Sequence, residues 1–166
     1  MACCNSERCV HFHIFAACLG VLLGISAFAA FGFHYGNHHA AIWAVISAMP
    51  AAVCLLLHIL YIQEQLDIYY SEKSLNGMAL LGFALGLCGL AGLVWYTFNI
   101  LYYNISFLPL DISKSYYIDI VWAFMTAKWG FMLYCVARRY CSIVGGDYLI
   151  LVQEDEIIAS TSAISA

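Results

Sequence analysis

The sequence predicts an all-α, polytopic membrane protein with four transmembrane helices and both termini in the cytosol. Three observations predict it. Of 166 residues, 64% are hydrophobic and only 10% charged, against about 25% charged in ordinary soluble domains. The apolar residues gather in four runs, 12–33, 41–62, 78–101 and 116–140, each long enough to cross a hydrocarbon core of about 30 Å. Basic residues flank the runs unevenly. Arg8, Lys73, Arg138 and Arg139 fall on one side of a four-span topology and Lys114 on the other, and the basic side is the cytosolic one. Residues 1–11 then form a cytosolic N-terminal segment, 12–140 the transmembrane domain and 141–166 an acidic cytosolic tail. The net charge of −4 comes mainly from that tail and suggests no nucleic-acid partner.

The first run contains Ala27-Phe28-Ala29, which has the form of a signal-peptidase site. The run is long for a cleaved signal and only Arg8 precedes it as a basic residue, so it is taken as a span. A polar patch follows, with His34, His38 and His39 inside six residues. Imidazoles at that density suit metal or haem, although the spacing matches no closed zinc motif; a wet loop would also tolerate them. The second run carries Pro50, whose missing N–H predicts a kink, and His58, with Cys54 and Tyr61 on its helical face. A polar connector, 63–77, is expected to be a loop or a short surface helix.

The third run holds Gly82, Gly86, Gly89 and Gly92. Gly82 and Gly86 form a GxxxG pair that lets two helix backbones approach, within the chain or in a homo-oligomer. Trp95, Tyr96, Tyr102 and Tyr103 are expected to form an interfacial aromatic belt. Asn104-Ile105-Ser106 is a glycosylation sequon. The fourth run carries Trp122 and Trp129 on one face and Lys128 within the apolar span, and it closes on Arg138-Arg139-Tyr140. A lysine at the bilayer centre costs roughly 2.5–3.5 kcal/mol, so it implies a partner, water or an anionic cargo. In the tail, Tyr148-Leu149-Ile150-Leu151 has the form of a signal read by sorting adaptors. The eight cysteines lie in apolar runs or cytosolic segments, where no structural disulfide is expected. Cys141 and the Cys3-Cys4 pair are candidates for acylation.

These residues point to a flat, apolar, metal-bearing dianion. Haem iron accepts His, Tyr or Cys ligands, its propionates suit Lys and Arg, and its macrocycle stacks on aromatic rings. The residues alone leave a structural tetraspan adaptor or a membrane haem redox protein open. The latter would need fixed, paired intramembrane histidines, and only His58 lies well inside a span.

The blocks Leu57-His58-Ile59-Leu60-Tyr61-Ile62-Gln63, Ser115-Tyr116-Tyr117, Val121-Trp122-Ala123-Phe124 through Lys128-Trp129, and Val136-Ala137-Arg138-Arg139-Tyr140 resemble the haem-responsive-gene haem transporters of animals. The resemblance covers about residues 40–140. It implies a non-enzymatic haem permease, with haem as cargo and not as prosthetic group, at the plasma membrane or in endosomes and lysosomes. It also implies that His58, Tyr61, Trp122, Lys128, Trp129, Arg138, Arg139 and Tyr140 handle the haem, His58 facing the iron. Two departures stand out. Val136 replaces the leading aromatic of the family's Phe-Ala-Arg-Lys-Tyr motif, and residues 102–117 lack the outer histidine. Tyr102, Tyr103, Tyr116 and Tyr117, or His34, His38 and His39, would take over capture at the outer face.

Overall fold

A computed structural model describes residues 7–105 and 115–164, with side chains described over 10–105 and 115–146. Among these there is no strand, and four helices are long and apolar enough to cross a membrane. Helix α1 (Glu7–Ala29) runs into a π-helical turn, Ala30–His34. It is followed by α2 (His38–Ile62), the short α3 (Leu66–Tyr69), α4 (Glu72–Tyr102) and α5 (Tyr116–Ile164). The expected all-α architecture with four membrane-length helices is borne out.

Local chemistry sets the boundaries. Gly36 takes φ +68° between the π turn and α2, a conformation that costs glycine little. Asn37 then caps α2, its Oδ1 accepting from the Ala40 amide at 3.0 Å. The helix continues through Pro50, which is buried. Ser71 caps α4, its Oγ accepting from the Ser74 amide, with Glu72 in the first turn. The cap explains why α4 begins six residues before the apolar run at 78: hydropathy marks where lipid begins, not where the helix does.

The same distinction applies at the other end. The fourth apolar run was expected to close at Arg138-Arg139, yet α5 continues without interruption to Ile164. Nothing there stops a helix. The two glycines at 145 and 146 each cost about 1 kcal/mol of helix propensity but leave the hydrogen-bond ladder intact. The side chains of Tyr148-Leu149-Ile150-Leu151, like Cys3, Cys4 and the sequon's Ser106, lie outside the described ones.

Packing runs in the order α1, α2, α5, α4. The α4–α5 seam is the closest. A methyl group on Gly82 would stand 2.8 Å from the Tyr134 nitrogen, and one on Gly130 would stand 2.8 Å from the Gly82 carbonyl oxygen and against the Gly86 nitrogen. One on Gly89 would stand 2.8 Å from the Ala123 carbonyl oxygen. The Gly82/Gly86 face is therefore covered by α5 and is not open to a second copy, which corrects the expected oligomer surface.

The aromatic belt is also corrected. Trp95, Tyr102 and Tyr103 are exposed, but Tyr96 is buried. Successive helical residues are turned about 100° apart, so Trp95 and Tyr96 cannot share a face. The Tyr96 hydroxyl accepts from Trp43 Nε1 at 3.0 Å, tying α4 to α2. Thr126 Oγ1 donates to the Trp43 and Trp122 carbonyls and ties α2 to α5. Tyr96→Phe is expected to lose about 1 kcal/mol of stability, read as a lowered thermal midpoint in detergent, while Trp95→Phe, on the lipid face, leaves it unchanged.

Candidate functional site

Three clusters bring the singled-out residues together, and they are spread along the bundle. The first lies at the end of the bundle where α2 finishes. His58 is 6% exposed, and its Nδ1 stands 2.7 Å from the Tyr140 hydroxyl. Tyr140, itself 2% exposed, stacks on Tyr61 with centroids 4.8 Å apart. The second-helix histidine and the terminal tyrosine of α5, eighty-two residues apart in sequence, thus form one buried pair. Leu57, Leu75, Leu133 and Ala137 form the apolar wall around it. A cavity of about 350 Å³, lined by Val10, His11, Tyr61, Ile62 and Glu64, opens at the same end. The tautomer decides what the pair can do. When the Nδ1–H of His58 donates to the Tyr140 oxygen, Nε2 keeps its lone pair for a metal. This is how a neighbouring group commonly orients a ligating imidazole.

Arg138 and Arg139 do not both join this cluster. Arg138 is exposed and donates from Nη1 to Asn76 Oδ1 at 3.2 Å, facing α4. It lines a separate cavity of about 340 Å³ with Ala79, Leu80, Phe83 and Tyr134. Residues 138 and 140 are two apart, so about 200° of helix rotation turns them to opposite sides. Arg139 is half-buried and close enough to act electrostatically on both His58 and Tyr140.

The second cluster surrounds Lys128. It is exposed at the side of the bundle, in a groove of about 240 Å³ between α1, α2 and α5. Ala16, Gly20, Ser47, Trp122, Met125 and Trp129 line this groove. The ammonium stands 4.8 Å from the Trp129 ring centroid, a cation–π contact. Trp129 is 5% exposed and packs on Gly20, Ala17 and Ala51. Lys128 precedes Tyr140 by twelve residues, or about 18 Å of helix. Lys128 and His58 therefore belong to two separate sites along the bundle.

The third cluster lies at the opposite end. His39 and Tyr116 both pack their rings near Tyr96, at 6.5 and 6.0 Å. His34 stacks edge-on against Tyr35, His38 is exposed, and Tyr102 and Tyr103 pack against each other. The Tyr117 hydroxyl donates to the Ile105 carbonyl at 2.9 Å. Asp119, 2% exposed, lies among them. Asn37 donates to its carboxylate, while its Oδ1 and the Ser115 hydroxyl have no hydrogen-bond partner.

Two members of these clusters were not singled out in the sequence. Asp119 could have been, as an acidic residue inside an apolar run is a flag in itself. His13, whose ring lies 5.6 Å from that of His58, gives no such signal. It stands at the start of a run, where a histidine reads as interfacial. Among the described residues no group of three or more His, Cys, Asp or Glu stands ready to hold a bare metal ion.

Comparisons with known proteins agree with the resemblance. The model of the family described as haem-transporter, endosomal/lysosomal, haem-responsive gene matches residues 75–129. A curated relative, the heme transporter hrg-1 of Caenorhabditis elegans, is 29% identical over 143 residues, covering 84% of this chain and 72% of the relative. No solved structure matches. The resemblance read from the sequence is borne out. The family match takes in Trp122, Lys128 and Trp129, while His58 and 136–140 fall outside it.

Proposed function

We propose that this chain is a haem transporter, moving haem from the lumen of an endosome or lysosome, or from the cell exterior, into the cytosol. Haem passes as cargo and is not retained as a prosthetic group. The observation that carries this reading is the buried His58–Tyr140 pair. An imidazole held by a phenol, with no group of three or more ligating side chains about it among the described residues, offers too few ligands for a bare ion. It is enough for an iron that arrives with four porphyrin nitrogens. The family match and the curated relative point to the same cargo.

With both termini cytosolic, the His39–Tyr96–Tyr116 end faces the lumen or exterior and captures haem, with His34, His38, Tyr102, Tyr103 and Tyr117 around it. Haem then passes the Lys128 groove, where the ammonium offsets propionate charge and Trp122 and Trp129 meet the macrocycle. His58 and Tyr61 receive it at the cytosolic end, with Arg139 and Tyr140 beside them and Arg138 at the rim. Each contact must be strong enough for entry and weak enough for release.

Expression in a haem-auxotrophic host tests the reading. The wild-type chain is expected to restore growth at limiting haem. Lys128→Ala is expected to lower initial haem uptake by on the order of tenfold at equal membrane abundance, about 1.4 kcal/mol, and Lys128→Arg to retain most of it. Failure of the wild-type chain to raise haem uptake overturns the function. Unchanged uptake in Lys128→Ala removes the groove from the route.

A further inference from the structure

The first helix brings a second imidazole to His58. His13 lies on α1 with its ring centroid 5.6 Å from that of His58 and the two planes 22° apart. Its Nδ1 is shielded from solvent and has no hydrogen-bond partner. Buried polar atoms are almost always satisfied, so an orphaned one calls for a missing partner. On the facing helix the situation differs, because His58 Nδ1 is held by Tyr140. One imidazole is thus anchored and the other waits.

The 5.6 Å between centroids lies in the range of about 4.5–7 Å for offset-stacked rings, and it is also close to what a shared metal needs. Two imidazoles on opposite sides of one metal need bonds of about 2 Å each. Adding roughly 1 Å from each nitrogen to its ring centre puts the centroids roughly 6 Å apart. The cavity lined by Val10, His11, Tyr61, Ile62 and Glu64 gives access at this end. Val10 is one turn from His13, and Tyr61 one turn from His58. The chief packing partner of α1 is α2, so the pair can separate by a shift of α1 while the α2–α5–α4 seams stay closed.

We infer that His13 and His58 together ligate the iron of one haem, as a transient bis-imidazole stage at this end of the bundle. The inference rests on the transport reading above and adds a ligand from α1. Only coordination bonds form and break. Each imidazole gives one nitrogen lone pair to iron, the other nitrogen keeps its proton, and the iron does not change oxidation state.

Ferric haem titrated into the purified full-length chain, followed by visible and electron paramagnetic resonance spectra, tests it. The wild type is expected to give a low-spin, six-coordinate spectrum. His13→Ala is expected to give a high-spin spectrum that added imidazole returns to low spin, with affinity lower by on the order of tenfold. His13→Met, which keeps the bulk and supplies a thioether, is expected to give a distinct His–Met spectrum, so the result does not depend on the alanine variant folding. A low-spin spectrum unchanged by both substitutions, or a high-spin wild type, overturns the inference and leaves transport standing. A wild-type chain that neither binds haem nor raises its uptake overturns the transport reading itself.

Discussion

His58→Ala is expected to reduce haem uptake to background, a loss on the order of tenfold or more at equal membrane abundance. Two effects enter and must be separated. The substitution removes the nitrogen that would face iron. It also strands the Tyr140 hydroxyl, which is buried at 2% exposure and bonded to His58 at 2.7 Å. An orphaned buried hydroxyl costs about 1–3 kcal/mol, so some lost uptake could reflect lost fold. Tyr140→Phe keeps the ring that stacks on Tyr61 at 4.8 Å and removes only the oxygen. The double variant, His58→Ala with Tyr140→Phe, leaves no stranded hydroxyl. Its thermal midpoint should lie above that of His58→Ala alone, a coupling that a double-mutant cycle measures directly. Its uptake should stay at background. Tyr140→Phe alone should fall between, because the imidazole remains and only its orientation and tautomer are released. Recovery of uptake in the double variant would assign His58 a purely structural role.

The clusters differ in how much of them the sequence discloses, and the difference has a physical cause. A span is a local property: twenty or so apolar residues suffice, and all four are recovered as helices. His58 and Lys128 stand out for a similar reason, since each is a polar group inside a run and lipid penalises it whatever the neighbours are. Helix rotation is local too. The divergence of Arg138 toward Asn76 and of Tyr140 toward His58 follows from two residues of helix and is legible in the sequence. The order in which helices pack is not local. No pattern in α1 says that it faces α2 rather than α4, and His13 gains meaning only once that neighbour is known. Likewise the apolar runs do not tell that Trp129 packs inward on α1 while Lys128 beside it stays exposed. That packing follows from Gly20 on α1, whose missing side chain leaves room for the indole: a methyl there would stand 2.7 Å from Cε2 of the ring.

Gly130→Ala is expected to be strongly damaging to the fold. A methyl at this position meets backbone, not a yielding side chain: it would stand 2.8 Å from both the Gly82 oxygen and the Gly86 Cα, and against the Gly86 nitrogen. Neither helix can give way locally, because Gly89 already sits as closely on the Ala123 carbonyl. Relief requires parting α4 from α5 along the seam. Overpacking of this kind costs about 1–3 kcal/mol, sometimes more, and in lipid no hydrophobic drive between helices compensates, since van der Waals contact is what holds them. Gly86→Ala makes a useful contrast, because its methyl would meet the Phe131 ring at 2.8 Å, and a ring on a half-buried side chain can turn aside. The expected order of thermal midpoints in detergent is therefore wild type, Gly86→Ala, Gly130→Ala. The consequence should reach the His58 cluster as well. Leu133, Ala137 and Tyr140 follow Gly130 on α5 and build the wall and the hydroxyl at His58. A shift of α5 therefore displaces the His58–Tyr140 pair, and Gly130→Ala should lose haem uptake in proportion to its loss of folded protein. A Gly130→Ala chain as stable as wild type would show that α4 and α5 do not pack backbone to backbone at this point.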